Sequence, residues 1–109
     1  MIFSLQRACE LLPRVKHVTA DAVRQAESLA AQLRGVAEDD PDHASLSAAL
    51  RDLVNRWADE MRALGLEAKG LWLVDFDNGE GYYCWAYPEP AIRHFHGYDE
   101  GFHGRMKIQ

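Results

Sequence analysis

From Val15 onward, small or apolar residues recur as Val15, Thr19, Ala22, Ala26, Leu29 and Leu33, steps of four and three that line one face of an α-helix. Gly35 and the run Glu38-Asp39-Asp40-Pro41-Asp42 predict its end, because repelling carboxylates and a proline both oppose a continuing amide ladder. A second stripe, Leu46, Leu50, Leu53, Trp57 and Leu64, widened by Val54 and Met61, predicts a second helix that Asp42 or Ser45 can cap and Gly65 can stop. The short link makes the pair antiparallel: a helical hairpin of two rods, each roughly 30 Å long, with a seam resembling a coiled coil. Ahead of it, Ser4 can cap a short first helix through Leu12. Pro13 has no amide hydrogen to offer the Cys9 carbonyl and disfavours helical geometry at Leu12, so a kink or a fresh helix start is expected.

After Gly70 the period shortens. Leu71-Trp72-Leu73-Val74-Asp75-Phe76 and Tyr82-Tyr83-Cys84-Trp85-Ala86 carry the aromatic and β-branched bias of strands around the glycine-rich turn Asp77 to Gly81. Tyr87-Pro88-Glu89-Pro90 is unsuited to a ladder, while Ala91 to His96 can return as a third strand. The expected fold class is α+β: a long antiparallel helical hairpin with a short kinked first helix, then a small three-stranded antiparallel meander and an extended C-terminal tail. At 109 residues it forms one expected domain, residues 1–65 the hairpin and 66–109 the meander and tail.

Composition narrows the function classes. A net charge of -5, with arginines scattered rather than gathered in a stripe, opposes a nucleic-acid partner. No apolar run approaches the roughly 20 residues of a membrane span, and the N-terminus lacks a cationic segment followed by an apolar one, so a cytoplasmic protein with no membrane role is expected. Cys9 and Cys84 are far apart and form no paired knuckle; two reduced, buried thiols are expected.

The unusual chemistry gathers in the last third of the chain. Alternation puts His94 and His96 on one strand face with Cα atoms roughly 6 to 7 Å apart, from which two imidazoles can reach one zinc-like ion. Further ligands could come from Cys84, Asp75, Asp99, Glu100 or His103. If Ala86 pairs with Ala91 and Phe76 with Tyr82, Cys84 joins Trp72, Val74, Phe76 and Phe95 on an apolar face, away from Asp75, Tyr83, Trp85, His94 and His96. The metal candidates are then His94, His96, His103 and Asp99, and the ligand-binding candidates Asp75, Tyr83 and Arg105. Asp75 lies amid apolar residues and needs a partner, a histidine, Tyr83 or Arg105, because an unpaired buried carboxylate is costly. Arg105, closing Gly101-Phe102-His103-Gly104-Arg105, offers a planar fork for a carboxylate or phosphate, in a tail expected to strap back onto the domain. No Ser-His-Asp or Cys-His order with local catalytic context appears, so no catalytic residue is assigned and a non-enzymatic role is favoured.

Two blocks of residues carry a family likeness. Phe3-Ser4-Leu5-Gln6-Arg7-Ala8 and Leu11-Leu12-Pro13 form one; Leu64-Gly65, Glu67, Lys69, Leu73-Val74-Asp75-Phe76, Cys84-Trp85, Glu89-Pro90, His96 and Asp99 to Arg105 form the other. On these the chain resembles a bacterial family of short proteins, domain of unknown function 2203. That resemblance implies a fold and assigns no activity. The family usually has a glycine where Tyr87 or Pro88 stands and an acidic residue where Gly97 stands.

Two functions from different classes follow. One is an interaction or assembly module whose hairpin pairs with a second copy or another protein, since two helices alone leave Val23, Ala30, Val54 and Met61 partly wet. The other is a metal-binding or small-ligand protein using His94, His96 and Asp75, assisted by His103 or Arg105.

Overall fold

The computed structural model describes residues 1–108. Helix α1 spans Leu5–Arg34 and α2 spans Pro41–Ala63. Five strands follow, β1 (Glu67–Gly70), β2 (Leu73–Asp77), β3 (Gly81–Ala86), β4 (His94–Gly97) and β5 (Met106–Lys107), with a 3-10 turn at Phe102–Gly104. Among the described residues they form one antiparallel sheet in chain order. The α+β class holds, but the expected three strands are five. The additional two are Glu67–Gly70 and Met106–Lys107, both short edge segments without the aromatic run that marks a strand in the sequence.

Ser4 caps α1 as expected, its hydroxyl accepting the Arg7 amide at 3.1 Å. The helix then continues through Pro13, which corrects the expectation of a separate short helix. Cys9 and Pro13 are both exposed, so the carbonyl that loses its helical donor faces water. Ala8, Leu12 and Val15 meanwhile anchor the opposite face in the core. Packing thus offsets the proline penalty of about 3 kcal/mol. The cap of α2 is Asp40, one turn earlier than Ser45 and ahead of Asp42: its carboxylate accepts the Asp42 amide at 2.8 Å, and Pro41 occupies a first-turn position that needs no donor. Gly65 (φ +89°) ends α2. There Leu66 donates to the Met61 carbonyl and Gly65 to that of Arg62, a pattern that satisfies the last carbonyls and brings buried Leu66 near buried Met61.

The sheet covers only one end of the hairpin. Buried residues of α1 run from Ala8 to Val23 and those of α2 from Leu53 to Met61. The apolar ones from Ala8 to Ala22 and from Leu53 to Met61 pack with Phe3, Leu66, Val74, Phe76, Trp85 and Ile92 into one core. Phe3 meets Phe76 edge-on at 5.4 Å, Trp57 meets Trp72 at 5.0 Å, and the Trp57 indole donates to buried Thr19 at 2.9 Å. Beyond, from Arg24 to Asp52, no residue is buried. The helices there form an arm, giving the molecule its extents of 50 × 25 × 22 Å.

Both hairpin registers differ by one residue from those expected. Phe76 lies opposite Tyr83 rather than Tyr82, and Cys84 opposite His94 rather than Arg93. The first slip has its cause in the turn. Asn78 donates its amide to Gly81, its side-chain oxygen accepts the amides of Glu80 and Gly81, and Gly79 takes φ +92°. The connection therefore closes one residue tighter. In the second loop, Glu89 donates to the Ala86 carbonyl, its carboxylate accepts the Ala86 amide, and the Trp85 indole donates to its carbonyl. These bonds keep Ala91 to Arg93 outside the strand.

Candidate functional site

Directly opposed residues share a side of the sheet, and a one-residue slip exchanges sides. Val74 opposite Trp85, and Phe76 opposite Tyr83 and Phe95, form the side that meets the helices. Asp75, Cys84 and His94 form one row on the other side, and Asp77, Tyr82 and His96 the next. The slip thus moves Cys84 onto the side of the histidines. It moves Tyr83 and Trp85 off it: Tyr83, expected as a ligand-binding residue, packs against the hydrophobic core.

On that outer side sits a cluster that water hardly reaches. Asp75, Cys84 and His96 are 2 %, 0 % and 3 % exposed, and their ligating atoms all lie within 4.8 Å of one another. His96 Nε2 is 3.1 Å from Asp75 Oδ1, and Nδ1 is 2.9 Å from the Gly97 carbonyl oxygen. A carbonyl only accepts, so Nδ1 carries a proton and directs Nε2 at Asp75. A second proton bridges Nε2 and the carboxylate, held by either. Burial pushes the Asp75 carboxyl up from its ordinary value, while hydrogen bonds from His96 and Cys84 pull it back. Burial, then the charge of Asp75, pushes the Cys84 thiol up to about 12. A thiol so held is protonated and a poor nucleophile. Cys9, expected to be buried, is exposed.

A second polar group lies beside the first, around His94 on the row it shares with Cys84 and Asp75. Arg105 Nη2 lies 2.8 Å from each carboxylate oxygen of Glu89 and 2.7 Å from His94 Nδ1. The Arg105 guanidinium stands over the Phe102 ring at 4.5 Å. Since Glu89 is tied to Ala86 at the end of β3, the arginine side chain reaches from the C-terminal segment past His94, along the row that holds Cys84. At the other edge Tyr82 lies 5.3 Å from the His96 ring and 5.1 Å from Tyr98, whose hydroxyl donates to Asp77 at 2.6 Å.

Of the expected site residues, Asp75 and His96 meet. His94 joins the neighbouring Arg105–Glu89 group, Arg105 finds its carboxylate within the chain, and Asp75 takes a histidine rather than Tyr83 or Arg105. His103 and Asp99 are exposed and lie outside the cluster, His103 on the 3-10 turn. Cys84, a donor that the expected register sets aside, returns to the cluster, and Glu89 was missed. Cys84 would have emerged from an even-numbered connection between β2 and β3, and Glu89 only from knowing that its loop folds back.

The fold and this outer face define a class: a small α+β protein with a helical arm and a buried carboxylate–thiol–imidazole cluster beside a C-terminal segment tied down by Arg105. The chain belongs to the family described as "Uncharacterized conserved protein (DUF2203)", whose model matches residues 1–108. Neither the curated proteins nor the solved structures contain a match to it. No described helix is long and apolar enough to cross a membrane.

Proposed function

We propose that the protein binds a divalent metal ion, zinc or a chemically similar one, through Asp75, Cys84 and His96. The observation that carries this reading is the convergence of three different ligating atoms within 4.8 Å in a buried place. Carboxylate, thiolate and neutral imidazole are the donors a borderline-soft ion takes, and three of them leave a fourth position open. The hydrogen bond from Nδ1 to Gly97 is the support that metal-binding histidines ordinarily have, since it fixes the tautomer with Nε2 free to ligate. Charge also balances. A doubly positive ion beside the Asp75 carboxylate and a Cys84 thiolate makes a neutral site, where the thiolate alone would be a net charge in a low-dielectric interior. Binding releases the thiol proton and the proton between Asp75 and His96.

Cobalt(II), added to full-length protein purified without an affinity tag, tests the reading. One equivalent should bind and give a thiolate-to-cobalt charge-transfer band, which Cys84→Ser abolishes and Cys9→Ser leaves unchanged. Zinc should displace it and raise the melting temperature. Substoichiometric binding without the band would refute the proposal.

A second reading has its own observation. Leu29, Leu33, Val36, Leu46 and Leu50 on the arm are only partly buried, beyond the reach of the sheet. This supports self-association through the arm, a second copy covering the stripe that two helices leave wet. A strictly monomeric mass at low micromolar concentration would remove it.

A further inference from the structure

We propose that the segment from Tyr98 to Ile108 is a strap that gates the Asp75–Cys84–His96 cluster, with the Arg105–Glu89 contact as its latch. The inference rests on reading that cluster as a binding site, because a buried site needs a route of entry.

The strap has one hydrophobic anchor, Ile108 at its far end, partly buried and packed against the core. Tyr98, Asp99, Glu100, Gly101, Phe102, His103, Met106 and Lys107 are all exposed, and the 3-10 turn buries nothing. Strand β5 pairs with β4 at two positions, His94 with Lys107 and Phe95 with Met106, and the Ile108 amide donates to Arg93. Segments with few buried apolar contacts and short ladders open at free energies well below that of global unfolding. Between Tyr98 and Lys107 only Gly104 and Arg105 are partly buried, the Arg105 side chain 11 % exposed.

The latch itself is unevenly satisfied. Nη2 has two hydrogens and three acceptors within 2.8 Å: two oxygens of Glu89 and the Nδ1 of His94. Nε, by contrast, is buried with no partner. A buried donor without an acceptor lowers the net gain of closing, so the latch holds the segment down by one charge-assisted contact rather than a full fork. Opening would free Arg105 and Glu89 into water, where both are well solvated, and would uncover the row of Cys84 and His94. Of the helix-facing core only the Ile108 contact is given up, because Val74, Phe76 and Trp85 belong to β2 and β3.

Thiol labelling tests the strap without any metal, so its failure is separable from failure of the metal reading. In full-length protein carrying Cys9→Ser, Cys84 is the single thiol, and its rate of reaction with an aromatic disulfide reports opening. Arg105→Gln and Glu89→Gln should each accelerate labelling roughly ten- to a hundred-fold, the factor set by one hydrogen bond to a charged group. Labelling in the parent should change little at low urea, as local opening exposes little surface. The proposal is overturned if labelling in the parent follows urea as steeply as global unfolding does, or if both variants accelerate it only by the factor their loss of global stability predicts. Cobalt uptake, followed by its charge-transfer band, should quicken in the same two variants. Faster labelling without any cobalt band would keep the strap and refute the metal; a band whose uptake rate ignores both variants would do the reverse.

Discussion

The two halves of the molecule assign burial in opposite ways. On the outer face of the sheet, a carboxylate, a thiol and an imidazole are hidden almost completely. Along the arm, the leucines at 29, 33, 46 and 50 stay partly in water. Hydrophobic burial favours the reverse on both counts, since enclosing polar groups costs free energy and exposing aliphatic ones forgoes it. Each inversion therefore points to a use beyond holding the fold. At the head the use we propose is coordination chemistry at Cys84; on the arm it is contact with a second copy of the chain.

The largest expected effect probes the head. Asp75→Ala removes one partner of a buried pair and leaves His96 Nε2 and the Cys84 thiol facing nothing, which should cost about 3 to 5 kcal/mol in urea denaturation. Replacing both Asp75 and His96 with leucine should cost far less, because the uncompensated polar group goes too. A loss under about 1 kcal/mol for Asp75→Ala would show that water satisfies the site, and the contrast with the arm would collapse.

Much of this contrast can be read from the sequence, for unequal reasons. The helices follow from stripes over many residues, where a single violation such as Pro13 is outweighed by Ala8, Leu12 and Val15 in the core. The polar face is legible only in part. Asp75, His94 and His96 share a side through either register, because both loops slip by one and the two changes cancel between β2 and β4. Cys84 and Tyr83 lie on the strand between the two loops, where a single slip acts uncancelled, and both exchange sides. The amide and side-chain bonds of Asn78 decide that slip, and no hydrophobic pattern encodes them. Strand β5 and the latch were beyond reach for another reason: they depend on Glu89 and Arg105 meeting across sixteen residues of chain.

A smaller effect sharpens the account of Cys84. Its folded-state value of about 12 lies above the 9.0 of a free thiol. Between those values the unfolded chain has lost the proton that the folded one keeps, so the folded state binds more protons and stability falls as pH rises. The slope should approach 1 kcal/mol per pH unit, on the order of the linkage limit, beginning near pH 9. Stability measured in urea from about pH 8 to pH 10 should show this decline in the parent, with the Cys84 contribution missing in Cys84→Ala. Equal slopes in the two proteins would mean that the thiol ionises as readily folded as unfolded, and that the head is not dry.

The smallest effect on stability should come from the arm, and it carries the other half of the comparison. Leu33→Asp with Leu46→Asp puts two carboxylates into the half-exposed stripe, beyond the last residues the core buries. In an isolated hairpin the change should stay near 1 kcal/mol, since each side chain has water within reach. If a second copy covers the stripe, the same substitutions should halve the mass in solution and abolish the rise of melting temperature with protein concentration that coupled folding and association produces. Parent protein that is already monomeric, with a melting temperature independent of concentration, would remove the second copy as occupant. The partly wet leucines would then be no more than the outer turns of a long hairpin, and the inversion would belong to the head alone.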